Sequence, residues 1–207
     1  NPPVVDAALG LRRGVVAEAE PVVRHFLSGG VQTIAFARAR QTAELLLRRL
    51  ATGPTAGAVR GYRGGYTASE RRAIEAALRD GRLRGVVATN ALELGVDIGE
   101  LDACVILGYP GSIASARQQA GRVGRRSATA VAILIAGQTP LDQYIVRHPD
   151  HLFDRSPEEA RLDPDNLRLL LDHVRCPAFE LPFDAAEAAL PFGVDGGTPA
   201  AVPAAAL

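Results

Sequence analysis

Lysine, methionine and tryptophan are absent from this 207-residue chain, and every one of its 23 basic residues is arginine. Without lysine there is no Schiff-base chemistry and no G-x-x-x-x-G-K-[ST] phosphate grip. A chain that begins at Asn1 and contains no methionine is expected to be part of a longer protein. Its two cysteines, Cys104 and Cys176, are too few for a metal quartet or a disulfide framework, and Cys176 reads as a small buried hydrophobe. The four histidines (His25, His148, His151, His173) form no H-E-x-x-H or other ligand spacing, so no metal site is expected. Aromatic residues make up only 5%, and no apolar run approaches the roughly 20 residues of a bilayer span. No signal segment opens the chain, which points to the cytoplasm. Ser112 and Ser115 lack a G-x-S-x-G elbow, and Gly108-Tyr109-Pro110-Gly111 lacks the G-x-G-x-x-G spacing of a dinucleotide site.

A hydrophobic share of 47% is enough to fill a real core. Charge sums to zero but is unevenly spread: residues 1–126 carry 18 Arg against 11 acids, and residues 127–207 carry 5 against 12. The first part is therefore net +7, which suggests a nucleic-acid or phosphate partner, although Arg scattered on solvated helix faces gives a similar count.

Short β-rich runs alternate with helical ones along this basic part. The pattern predicts helices over 12–28, ended by Gly29-Gly30, over 40–50, over 67–80 and over 112–122. Thr67-Ala68-Ser69-Glu70 reads as a capping box. Strands are expected at 31–37, 58–62, 85–89, 103–107 and 130–135. Strands separated by helices of this length imply an α/β fold with a mainly parallel sheet covered on both faces. Beyond Pro140 come a short helix at 141–147, a turn at 148–150 and a helix at 166–174, before an Ala-, Pro- and Gly-rich end.

In such sheets ligands bind beyond the carboxyl ends of the strands, so the loops there hold the candidates. In Gly121-Arg122-Val123-Gly124-Arg125 two guanidinium groups stand three residues apart beside glycines. They could grip a polyphosphate, or serve as the basic end of a helix. Asp97, after a glycine turn, is either a turn-former or an acceptor for ribose hydroxyls. Thr89 and Asn90 are candidates to donate to a nucleic-acid phosphate or to cap the following turn, and Arg38 to contact phosphate or to lie on a solvated face.

Taken together and in order, VVATNALELGVDIGELDACVILGYPGSIASARQQAGRVGRR resembles the fifth and sixth motifs of superfamily 2 helicases, in the second RecA-like lobe. The match extends to the YprA/MrfA/SftH branch of DEAD/DEAH-type DNA helicases, with TIAFARAR at 33–40 similar to its fourth motif. YRGGYTASERRAIEAALRDG, LDQYIVRHPDHLF and RCPAFELPF also resemble it, so the likeness covers roughly residues 1–184.

The resemblance implies a RecA-like three-layer α/β/α lobe at 1–140, a short, mostly helical C-terminal extension at 141–184, and a linker or tail at 185–207. It implies that Gln118, Gly121, Arg122 and Arg125 face the ATP phosphates, with Arg122 and Arg125 catalytic and Arg125 the arginine finger. Gly95 and Asp97 would contact the nucleotide. Thr89, Asn90, Arg38 and Arg63 would contact single-stranded or tailed DNA through its backbone, Arg63 from a further strand-binding loop.

ATP and Mg2+ would be the cofactors, held mainly by a first RecA-like lobe of the same protein, since the Walker A lysine and the D-E-x-H or D-E-A-D box are missing here. The chain alone is thus expected not to hydrolyse ATP. The family's cysteine-rich zinc region has no counterpart among two cysteines. A non-catalytic DNA- or protein-binding platform is the alternative expectation.

Overall fold

Three strands explain why the sequence shows continuous apolar runs rather than alternation. In β3 (Thr33–Ala37), β5 (Gly85–Ala88) and β6 (Ala103–Leu107) every residue is buried, because both faces of the sheet are covered. The computed structural model describes residues 1–93, 98, 101–124, 130–159, 163 and 166–181. The chain divides into two compact units, Asn1–Glu158 and Glu159–Leu207.

In the first unit β4 (Val59–Tyr62) and β7 (Val131–Ile135) complete a five-stranded sheet of order β4-β5-β3-β6-β7. All its pairings are parallel, with Tyr62, Ala88, Phe36, Ile106 and Leu134 aligned across it. Alternate residues point to opposite faces. Ala35, Val87, Val105 and Leu107 pack on one side with Val16, Ala19, Val23 and Leu27 of α1 (Val15–Ser28) and Leu46 and Leu50 of α2 (Arg40–Leu50). Ile34, Phe36, Val86, Ala88, Cys104 and Ile106 face the other side, with Leu78 of α3 (Ala68–Arg79) and the 3-10 turn Asn90–Leu92. Gly85 is where a side chain would not fit: a Cβ there would lie 2.8 Å from Leu27 Cδ2.

Helix α3 starts in the predicted capping box: Glu70 N–H donates to Thr67 Oγ1 and Thr67 N–H to Glu70 Oε2. The Thr67 amide, and then the Thr67 hydroxyl, which also donates to Glu70 Oε2, hold the Glu70 carboxyl below its usual range. The chain differs from the predicted course in several places. The first helix begins at Val15 rather than residue 12, because Leu11–Arg12 (β2) pairs antiparallel with Val4–Asp6 (β1) and Gly14 is extended at the cap. The predicted turn at 148–150 leads into a short helix, α6 (Asp150–Phe153), one turn after α5 (Pro140–Arg147). Arg117 fixes α6 by donating to the carbonyls of Leu152, Phe153 and Arg155.

The second unit holds α7 (Leu167–Glu180), longer than the 166–174 expected. Its less exposed residues Leu170, Leu171, Val174 and Ala178 form one stripe. Cys176 lies off that stripe and is exposed, which corrects its reading as a buried hydrophobe. The buried thiol is Cys104, pushed up to about 12 by burial. No helix among the described residues is long and apolar enough to cross a membrane.

Candidate nucleotide and nucleic-acid site

Because the five strands are parallel and in register, their carboxyl ends form one edge, and several candidate residues fall there. Arg38 follows β3, exposed and without a hydrogen bond or ion pair among the described residues. Thr89 and Asn90 follow β5. Thr89 stands at the cap of the turn Asn90–Leu92, yet its hydroxyl makes no capping bond to it. Arg63, one residue beyond β4, is engaged: it pairs with Glu44 at 3.1 Å and lies over the Tyr66 ring at 5.2 Å. Arg63 and Thr89 border one crevice with Arg40 and Glu44.

The arginine-bearing loop is placed by α4 (Ile113–Ala120). Ser112 caps this helix by accepting from Ser115 N–H, and Gly121 ends it. The chain then runs beside the start of β6 through a bridge between Leu101 and Val123, and Gly124 adopts φ +97°, a conformation that favours glycine. Arg122, half-buried, donates from Nη2 to the carbonyl of Glu93 at 2.7 Å. Gln119 Nε2 donates to the Glu93 carboxylate at 3.0 Å and to Ser115 Oγ at 3.3 Å. The loop after β5 and the loop after α4 therefore meet at Glu93. Gln118 is exposed, and Gln119, one residue on, is buried. Gly95, Asp97 and Arg125 lie outside the described residues.

Two carboxylates that the sequence analysis did not single out organise the neighbouring loops. Asp142 is buried; it accepts from Thr139 Oγ1 at 2.9 Å, from Tyr109 N–H at 3.3 Å and from Gly137 N–H. It thereby ties the loop after β6 to the loop after β7. Glu158 accepts from the Ile113 and Ala114 amides at 2.6 and 3.1 Å, the first two of α4. Those amides hold its carboxyl below the usual range. Thr139 followed by Asp142 is a capping pattern visible in the sequence, whereas Glu158 reaches α4 across 45 residues and leaves no local trace.

The carboxyl edge thus carries the exposed Arg38 and the polar Thr89 and Asn90, with the arginine loop braced at Glu93. A phosphate partner for Arg122 fits its guanidinium chemistry. No group of three or more metal-capable side chains occurs among the described residues.

Residues 19–127 match the helicase conserved C-terminal domain. The chain is 54% identical over 193 residues to the ATP-dependent helicase YprA of Bacillus subtilis (strain 168), covering 90% of this chain and 26% of YprA. It is 40% identical over 193 residues to the ATP-dependent helicase hrq1 of Schizosaccharomyces pombe, covering 89% of this chain and 18% of that one. Its fold matches the crystal structure of the DUF1998 helicase MrfA bound to DNA and AMPPNP with a TM-score of 0.78 at 53% identity, covering 90% of this chain and 26% of MrfA. The chain thus spans about a quarter or less of these relatives. The parallel sheet with helices on both faces is the RecA-like α/β fold that the motifs implied, and the chain belongs to the helicase conserved C-terminal domain family, on the superfamily 2 branch of YprA and MrfA.

Proposed function

We propose that this chain is the second motor lobe of an ATP-dependent DNA helicase or translocase and does not hydrolyse ATP alone. In this reading residues 1–140 form the lobe, 141–184 an extension and 185–207 a linker or tail. The observation that carries it is the junction at Glu93, where Gln119 and Arg122 brace the loop that follows Thr89 and Asn90. A change at the nucleotide end is thereby passed by direct contact to the strand edge.

Arg122 and Arg125 would face the phosphates of ATP across a cleft shared with the first lobe, Gln118 and Gly121 would shape that surface, and Gly95 and Asp97 would reach the nucleotide. Mg2+ would be held by the first lobe and would neutralise charge on the transferred phosphoryl group. Arg38, Thr89 and Asn90 would hold single-stranded DNA by its backbone, and Arg63 would do so on leaving Glu44. The DNA and AMPPNP bound in the MrfA structure support both ligands.

The test is the ATPase rate of the intact protein containing this chain, with and without single-stranded DNA, against the isolated chain. Hydrolysis by the intact protein that DNA stimulates, and none by the chain, is the expected result. No hydrolysis by either would leave a RecA-like binding platform instead.

A further inference from the structure

Helix α4 has eight residues, and a helix that short takes its place from what holds it rather than from its own propensity. Ile113 and Ala116 anchor it in the core. Its polar ties fall into two groups. Those of Ile113, Ala114 and Arg117 all go to one stretch of chain: the two amides donate to Glu158 at 2.6 and 3.1 Å, and Arg117 Nη2 donates to the carbonyls of Leu152, Phe153 and Arg155 at 3.2, 3.1 and 2.7 Å. Those of Gln119 and of Arg122, in the loop that follows, both reach Glu93. The helix is therefore a strut between the stretch 152–158 and the arginine loop.

Glu158 supplies what the local sequence leaves unmade at the start of this strut. Ser112 Oγ accepts from the Ser115 amide, the third of the helix, and the first two amides are left to a distant partner. One carboxylate spans both, Oε1 taking Ile113 and Oε2 taking Ala114, in charge-assisted bonds. Glu158 is exposed, so replacing it opens no cavity, and the Ser112 cap with Ile113 and Ala116 still seats α4 in the fold. What changes is the direction in which the helix delivers Arg122. We propose that Glu158 is a positioning residue for the phosphate site, acting through α4 on Arg122. The inference rests on the motor reading above and adds to it a residue that touches neither nucleotide nor DNA. The stretch 152–158 thereby joins the nucleotide machinery as the fixed end against which the arginine loop is set.

The experiment is single-turnover ATP hydrolysis by the intact protein on saturating single-stranded DNA, a format in which slow rates stay readable. Glu158→Ala is expected to lower the rate about tenfold, the scale of a shift of a fraction of an ångström at the reacting groups, with ATP and DNA affinity held within about twofold. Glu158→Gln keeps one acceptor oxygen and gives up the charge and the second acceptor, so its rate should fall between the two. A cycle with Arg122→Ala separates positioning from general weakening. A residue that acts through Arg122 has nothing further to lose once the guanidinium is gone, so Glu158→Ala should leave the Arg122→Ala rate unchanged, whereas independent losses multiply. An undiminished rate in Glu158→Ala, losses that multiply in the cycle, or affinity that falls with the rate would each overturn the assignment. An undiminished rate in Arg122→Ala would overturn the route through Arg122. No DNA-stimulated hydrolysis by the native intact protein would overturn the motor reading itself.

Discussion

In the proposed reading Arg122 would carry two duties in one guanidinium. One nitrogen is committed to the Glu93 carbonyl, which fixes the direction of the fork before any nucleotide is present. A pre-aimed guanidinium loses little freedom when a phosphate arrives, which is the physical advantage of arginine over lysine at such a place. In the intact protein Arg122→Ala and Arg125→Ala are each expected to lower DNA-stimulated ATP turnover about 10³-fold if both complete the phosphate site, with little change in DNA affinity. Unaltered turnover in both variants would end that assignment. The residue scale also shows the limit of motif reading. Gln118 and Gln119 are equal in sequence, but helical spacing turns successive residues by about 100°, and only Gln119 faces the core.

At the scale of the element, α4 is held at both ends by distant groups. Glu158 closes its first turn, and Cys104 Sγ in β6 sits 3.4 Å from the Gln119 carbonyl near its last. A carboxylate at a helix N-terminus satisfies two amides that would otherwise lack partners and opposes the macrodipole. Because the folded Glu158 carboxyl lies below its ordinary value, its contribution is present above pH about 4.5 and is lost as pH falls through the depressed folded value. Glu158→Ala is therefore expected to speed hydrogen exchange at the Ile113 and Ala114 amides at pH 7. The difference from the native protein should shrink as the pH is lowered. Equal exchange in the two proteins at pH 7 would show that the contact does not hold the helix. Both ends of α3, by contrast, are written locally: Thr67 and Glu70 start it and Asp80-Gly81 end it.

For the whole molecule the uneven charge matters most. A net charge of +7 over residues 1–126 sits on the part that carries the sheet edge. Backbone binding to a single strand releases counterions, so affinity should fall linearly on a log–log plot against salt, by roughly 0.7 in slope per phosphate contact. Arg38→Ala is expected to weaken binding of the intact protein to all sequences alike and to reduce that slope by about 0.7. Titrations from about 50 to 200 mM salt measure it, and an unchanged slope would remove Arg38 from the strand path.

The strands, most helices and the parallel α/β class were legible because hydrophobic period and cap chemistry act within a few residues. VQTIAFA, GVVAT and ACVIL read as buried strands, and buried strands run through them at Thr33–Ala37, Gly85–Ala88 and Ala103–Leu107. The hairpin at Val4–Asp6 and Leu11–Arg12 was not, since two such short strands give no period to count. Family motifs also placed the arginine loop and the strand-end residues in one chain order. What local chemistry could not decide is which groups meet. Glu93 to Gln119 and Arg122, Asp142 to the loop amides, and Glu158 to α4 join residues 26 to 45 apart or link separate strands' ends. Each is a polar contact set by where the folded sheet brings its edges, and only packing, which removes water from those groups, makes the partner obligatory.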